Sequence, residues 1–235
     1  MSVTTDASGR GERSASVART HLALLLLAFS AGAADAFAFL ALGGIFTANM
    51  TGNLILVGMF SRPGFAATLA GASVALVFFI GVLYLAFRVT ASPPGSPAAA
   101  TGRTVVRLLV PSLIAQLAAS VTWIVGREPV VLAAHLVVIA LSASALALQT
   151  VAAKKLSDVS GITTTYVTGT LTVTMQELAE GNHSGQLLRV LSVAALPAGA
   201  IVGTATLVIA SAAGPVVPFA VAVAATLLLW TQRSR

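Results

Sequence analysis

Six apolar stretches, roughly residues 21–43, 64–87, 105–126, 129–153, 188–211 and 215–231, each come close to the length of α-helix that crosses a bilayer, the last being short. A backbone in lipid has no water to bond, so a chain made of such stretches is confined to helices that satisfy their own N–H and C=O groups. The expected fold class is all-α, a polytopic membrane helical bundle. Charge content points the same way: 9% of residues are Asp, Glu, Lys or Arg, against about 25% in soluble domains, too few to cover a water-facing surface.

The net charge of +6 does not mark a nucleic-acid partner, because the 13 Lys and Arg lie singly between apolar runs and form no basic face with interleaved aromatics. Membrane lipid is the expected surrounding. With no cysteine, the chain has no disulfide, thiolate metal site or cysteine nucleophile. Residues 1–18, rich in Ser, Thr, Gly and Arg without an apolar period, read as a disordered tail, and 19–235 as one membrane domain. Arg10, Arg13 and Arg19 before His21 to Phe29 imitate a cleavable signal peptide. The apolar run continues through Phe37 to Leu42, so this stretch is expected as an uncleaved first span.

Two shorter pieces, about 46–60 and 162–180, interrupt the pattern, and they are related. Ile45-Phe46-Thr47-Ala48-Asn49-Met50-Thr51-Gly52-Asn53-Leu54 recurs in altered form as Ile162-Thr163-Thr164-Thr165-Tyr166-Val167-Thr168-Gly169-Thr170-Leu171. This predicts two halves, about 19–126 and 127–232, each with a break at membrane depth. If both pieces crossed, with the basic N-terminus inside, Arg88, Arg103 and Arg107 would fall outside, against the positive-inside tendency. If each piece enters and leaves on one side, those arginines, Lys154, Lys155, Arg189, Arg233 and Arg235 all face the cytoplasm, leaving only Arg62 and Arg127 outside. The expectation is six transmembrane helices plus two short re-entrant or broken helices, in two inverted-topology repeats with both termini cytoplasmic.

Asp35 is the acidic residue well inside a predicted span, about 21 Å along the first helix if that begins near His21. A carboxylate at that depth requires a partner, water or a proton. One reading couples solute movement to protons through Asp35; the other makes it a packing residue bonded to Thr or Asn of the adjacent repeat. Gln149 holds the comparable place in the second half, where an amide can donate and accept but not titrate.

In the first repeat, Thr47, Asn49, Thr51 and Asn53 offer oxygens suited to helix N-caps, and Gly52 permits close backbone approach. Thr164, Thr165, Thr168, Gly169 and Thr170 echo them, with Tyr166 in the place of Asn49. These residues, with Asp35 and Gln149, are the candidate substrate-binding set. Exposed N–H groups at broken helix starts favour anionic or carbonyl oxygens, and unwound carbonyls hold cations. The competing reading is that they only cap and pack short helices.

Past the second repeat, Leu171, Met175 and Leu178 share one helical face while Thr174, Glu177 and Gly181 share the other, as in a solvated segment at the membrane edge. Glu177, Glu180 and His183 cannot all point one way from a helix, so no metal site is expected. No GxGxxG, P-loop, GxSxG or HExxH pattern supports catalysis or a cofactor. Gly199 with Gly203, and Gly71 with Ala75, form small-xxx-small steps that suit close helix contact within one copy or in a homo-oligomer.

Phe46-Thr47-Ala48-Asn49-Met50-Thr51-Gly52-Asn53, with Gly32-Ala33-Ala34-Asp35 before it and Gln149 and Thr164-Thr165-Tyr166-Val167-Thr168-Gly169-Thr170 after it, resembles the YoaK family, domain-of-unknown-function family 1275. The resemblance covers nearly everything from about 20 to 230. It implies a bacterial inner-membrane protein with six spans and implies no reaction. Ala147-Leu148-Gln149-Thr150 departs from the Gly-Leu-Gln-Asn common in the family. The leading functional expectation, from the repeat, Asp35 and the topology, is a transporter of a small molecule or ion. The alternatives are a non-catalytic membrane scaffold or regulatory subunit, and a membrane-embedded enzyme acting on lipid or metabolite.

Overall fold

The computed structural model describes residues 4–91, 102–126, 132–160, 167–181 and 185–231. Along these residues run α1 (Thr4–Ala41), α2 (Met50–Gly58), α3 (Phe65–Val89), α4 (Gly102–Val125), α5 (Leu132–Ser160), α6 (Val167–Ala179), α7 (Gln186–Ile209) and α8 (Val216–Trp230), with a 3-10 turn over Ser211–Ala213. Among the described residues, six helical segments are long and apolar enough to cross a membrane: Ala15–Ala41, Phe65–Val89, Gly102–Val125, Leu132–Ser157, Gln186–Ile209 and Ser211–Trp230. The nine residues of α2 rise only about 13 Å and the thirteen of α6 about 20 Å, both short of a hydrocarbon core about 30 Å thick. The bundle therefore has six spans and two short helices.

One sequence expectation changes. Helix α1 begins at Thr4, so most of the stretch read as a disordered tail continues the first span as helix. The polar composition that suggests disorder concerns isolated segments. A helix already formed by an apolar span extends without a new nucleation step. The Pro-rich linker after Ala91 and residues 162–166 of the second repeat, Thr164, Thr165 and Tyr166 among them, lie outside the described residues.

The helices pack almost entirely across the two halves. Helix α1 lies on α7 as α5 lies on α3; α1 lies on α8 as α5 lies on α4; α1 meets α5, α4 meets α8, and within each half the short helix rests on the next span, α2 on α3 and α6 on α7. Exchanging α1–α4 for α5–α8 maps this set of principal contacts onto itself.

Lipid is as apolar as leucine, so membrane helices associate through close packing of small residues and direct their large apolar side chains outward. Here Ala33, Ala38, Ala72, Ala75, Ala143, Ala147, Ala152, Ala222 and Ala225 are buried, while Val77, Ile80, Tyr84, Ile201, Val208 and Ile209 are exposed. The closest approach is between α1 and α7: a Cβ built on Gly32 would lie 1.9 Å from the Leu196 carbonyl oxygen, and one on Gly199 2.0 Å from that of Phe29. The Gly199/Gly203 step thus serves contact within the chain, and Gly71 with buried Ala75 lies where α3 meets Ile139 of α5.

Candidate functional site

The polar residues of the first repeat form a knot around Asp35. Gly43 and Gly44, both at positive φ, turn the chain back after α1, so residues 47–49 approach the α1 surface. The Asp35 carboxylate accepts backbone N–H groups from Thr47 at 2.7 Å, Ala48 at 2.7 Å and Asn49 at 3.0 Å, and the Thr47 hydroxyl at 3.4 Å. These groups lie just ahead of α2, whose own N-cap is the Asn49 side chain, accepting from the Gly52 N–H at 3.1 Å.

Asn53 closes the knot from inside α2. Its Nδ2 donates to the Phe46 carbonyl at 2.7 Å, and its Oδ1 accepts the Phe46 N–H at 2.9 Å. Gly52 is required because a Cβ there would fall 2.7 Å from the Phe46 ring. Asp35, Thr47 and Asn53 are buried, whereas Asn49 and Thr51 are exposed. The carboxylate thus sits at the positive end of a short helix, where backbone donors stabilise it in place of water.

The remaining sequence candidates lie apart from this knot. Thr168 is exposed, Gly169 half-buried and Thr170 buried, all in α6. Helix α6 keeps Thr170 and Thr174 buried and leaves Leu171, Met175 and Leu178 exposed, together with the polar Thr168, Thr172, Gln176 and Glu180. Glu177 pairs with Arg189 at the start of α7. No group of His, Asp or Glu suited to a metal occurs among the described residues.

Gln149 stands in a different setting. Its Nε2 donates at 3.1 Å to the Ser112 hydroxyl, which donates at 2.9 Å to the Ala145 carbonyl, joining α4 to α5. Ser30 of α1 likewise donates to the Pro218 carbonyl of α8 at 2.9 Å. These residues occupy a layer between two apolar clusters. On α1, Ser30 falls between Leu27 of one cluster and Ala34 of the other; on α4, Ser112 and Gln116 fall between Leu109 and Ala119; on α5, Gln149 falls between Val151 and Ala147. All lie near the middle of their spans.

Gln116 is the residue that the sequence pattern does not single out. It is 6% exposed, and neither its Oε1 nor its Nε2 has a hydrogen-bond partner among the described residues; Oε1 of Gln149 has none either. Gln116 lines a small cleft with Ala34 and Phe37 of α1, Ser142 and Leu146 of α5, and Pro218 of α8, with about 20 Å³ of room for water. At the end of the spans beside this cleft, Phe37 meets Trp123 edge to face at 5.0 Å, and the Trp123 indole N–H donates to the Ser211 carbonyl at 3.0 Å. A lone amide in an apolar helix carries no periodic signal. Its depth in a span is the feature that marks it, as it marks Asp35.

Residues 23–229 match the family model described as "Protein of unknown function (DUF1275)". The chain belongs to this family. It is also 32% identical over 158 residues to the UPF0700 transmembrane protein YoaK of Bacillus subtilis (strain 168), an alignment that spans 66% of each chain, just under two thirds. No solved structure matches the chain. The family and the six apolar helices together make this a multi-pass membrane protein.

Proposed function

We propose that the chain is a transporter of a small solute, with both termini cytoplasmic in the bacterial inner membrane and its path at the junction of α1, α4, α5 and α8. The observation that carries this reading is the amide of Gln116, buried at mid-depth between the two halves without a partner among the described residues. Buried polar groups ordinarily find a partner, and an amide left without one costs about 1–3 kcal/mol, so such a group in a membrane core calls for a ligand or a polar path. Solute sites in transporters built from inverted repeats lie near the midplane at the repeat interface, which is the setting of this layer.

The Thr-Gly repeats hold a supporting role in this reading. The first anchors α2 to α1, and proton coupling through Asp35 would act through that anchor: a proton on the carboxyl removes acceptor capacity from the N–H groups of residues 47–49 and frees α2 to move. A non-catalytic scaffold is the second reading, favoured by the fact that Asp35, Asn49 and Asn53 all bond within the chain. Thermal unfolding of the purified protein across a panel of uncharged, anionic and cationic solutes separates the two, because a ligand of the folded state must raise its melting temperature. Stabilisation by one chemical class is expected; a flat response across all of them would leave the scaffold.

A further inference from the structure

Helix α6 divides into three faces. Thr170, Thr174 and the half-buried Glu177 turn toward protein, where Glu177 pairs with Arg189 of α7. Val167, Leu171, Met175 and Leu178, at helical spacings of four, four and three, share a second face and are between 36% and 55% exposed. Thr168, Thr172 and Gln176, with Glu180 just past the helix end, follow one another at a spacing of four as an exposed polar stripe beside that face. Of the larger exposed apolar side chains, Val173 departs from this division and lies between the polar stripe and the side that meets α7.

Neither water nor hydrocarbon alone suits such a helix. In water the contiguous apolar face would stay wet. In hydrocarbon the Glu180 carboxylate would be held out of water with the Gln176 amide, which donates to it at 2.9 Å, and with no cation beside it among the described residues. The boundary between the two satisfies both faces, and the chain places α6 there: Gly181 at positive φ follows α6, and Gly185 at positive φ precedes α7, whose spanning segment begins at Gln186. A helix dipping along α7 toward the bilayer centre would instead carry Thr168 and the first-turn N–H groups, which lack intrahelical partners, into hydrocarbon. Helix α6 has no Lys, Arg or His, and Arg189 is committed to Glu177. Its attraction to a membrane is therefore apolar insertion without recruitment of anionic headgroups, and insertion is easiest where lipids pack loosely.

We propose that α6 is an interfacial helix, lying in the plane of the membrane surface, that binds neutral phospholipid by inserting Val167, Leu171, Met175 and Leu178 just below the headgroups, and whose depth follows how loosely the lipid packs. The polar stripe stays in the headgroup water. The Glu177–Arg189 pair fastens the third face to the first turns of α7, so the depth of α6 is linked mechanically to a spanning helix.

The test uses the full chain in phosphatidylcholine vesicles, with a nitroxide on Leu171→Cys, Met175→Cys, Leu178→Cys, Thr168→Cys, Thr172→Cys or Gln176→Cys, one at a time, and collision rates measured with oxygen, which concentrates in lipid, and with a water-soluble nickel chelate. Oxygen is expected to dominate at 171, 175 and 178 and nickel at 168, 172 and 176, with positions 171 and 178 at the same shallow depth. Replacing palmitoyl-oleoyl by looser dioleoyl lipid should raise the oxygen-to-nickel ratio at 171 by about twofold, and admixed phosphatidylglycerol should leave it unchanged. Leu171→Gln with Leu178→Gln should move the label at 175 toward nickel, in a chain that melts as the parent does. Depth that increases steadily from 178 to 171 would show a dipping helix and overturn the proposal, as would nickel access or oxygen access at all six positions. Spin–spin broadening that disappears on dilution with unlabelled chain would put a second copy on this face, also against the proposal. A ratio that follows phosphatidylglycerol but not packing, or that ignores the Gln pair, overturns it equally.

Discussion

Removing the Asp35 carboxylate should unfasten the first repeat from α1. In Asp35→Ala, three buried or half-buried N–H groups, now 2.7, 2.7 and 3.0 Å from a carboxylate oxygen, lose their acceptor. Hydrogen bonds to a charged group contribute about 1.5–3 kcal/mol each, and part of that is offset by the cost of holding the charge out of water. Each donor left unpaired costs about 1–3 kcal/mol, so with that offset a loss of about 3–5 kcal/mol is expected, which corresponds to a melting temperature lower by about 6–20 °C in a chain of this size. Asp35→Asn should fall between: its Oδ1 can keep the Thr47 and Ala48 N–H groups, while its Nδ2 meets the Asn49 N–H donor to donor, at about 1–3 kcal/mol. Thermal unfolding in detergent, read by size-exclusion recovery, gives the order, and hydrogen exchange at residues 47–49 localises it. An Ala variant that melts within about 1 °C of the parent, with exchange at 47–49 unchanged, would refute the anchoring argument.

Other consequences are as direct. Asn53→Ala strips both partners from the Phe46 peptide unit and should cost about 2–4 kcal/mol, measured by the same melts. Gly199→Ala and Gly32→Ala each drive a methyl into a backbone carbonyl across the α1–α7 crossing; a loss above the usual 1–3 kcal/mol of overpacking is expected, seen as low recovery of monodisperse protein. A double-mutant cycle on Glu177 and Arg189 should give a coupling of about 1 kcal/mol that shrinks with added salt, since both side chains are partly exposed. Because the chain has no native cysteine, single cysteines at Arg62, Ser96 and Arg127 report sidedness cleanly. Labelling of positions 62 and 127 from outside and of 96 only from inside is expected, and labelling of 96 from outside would defeat the topology with cytoplasmic termini.

The number of spans, the two short interruptions and the burial of Asp35 inside a span were legible in the sequence because each is a property of a local segment. Apolar length sets the spans, and a charge inside one stands out. Which face of a short helix is buried was not legible. Thr51 and Asn53 look equivalent in the repeat, yet Asn53 is buried against the Phe46 peptide and Thr51 is exposed, an outcome fixed by how α2 rests on α3. Gln149 was legible as a place but not in its partner, since Ser112 comes from another span, and Gln116 acquires meaning only when α1, α5 and α8 converge on it.

The crosswise pairing of α1 with α7 and of α5 with α3 bears on how such a chain can be assembled. A nascent protein that has emerged only as far as α4 has almost no interior of its own, because the surfaces that will cover α1 and α3 are still unmade. Its first spans must wait in the bilayer as loosely associated rods until translation delivers their counterparts. A gene cut between α4 and α5 would therefore yield two products, each dependent on the other for survival, and their joint expression should restore what neither achieves separately.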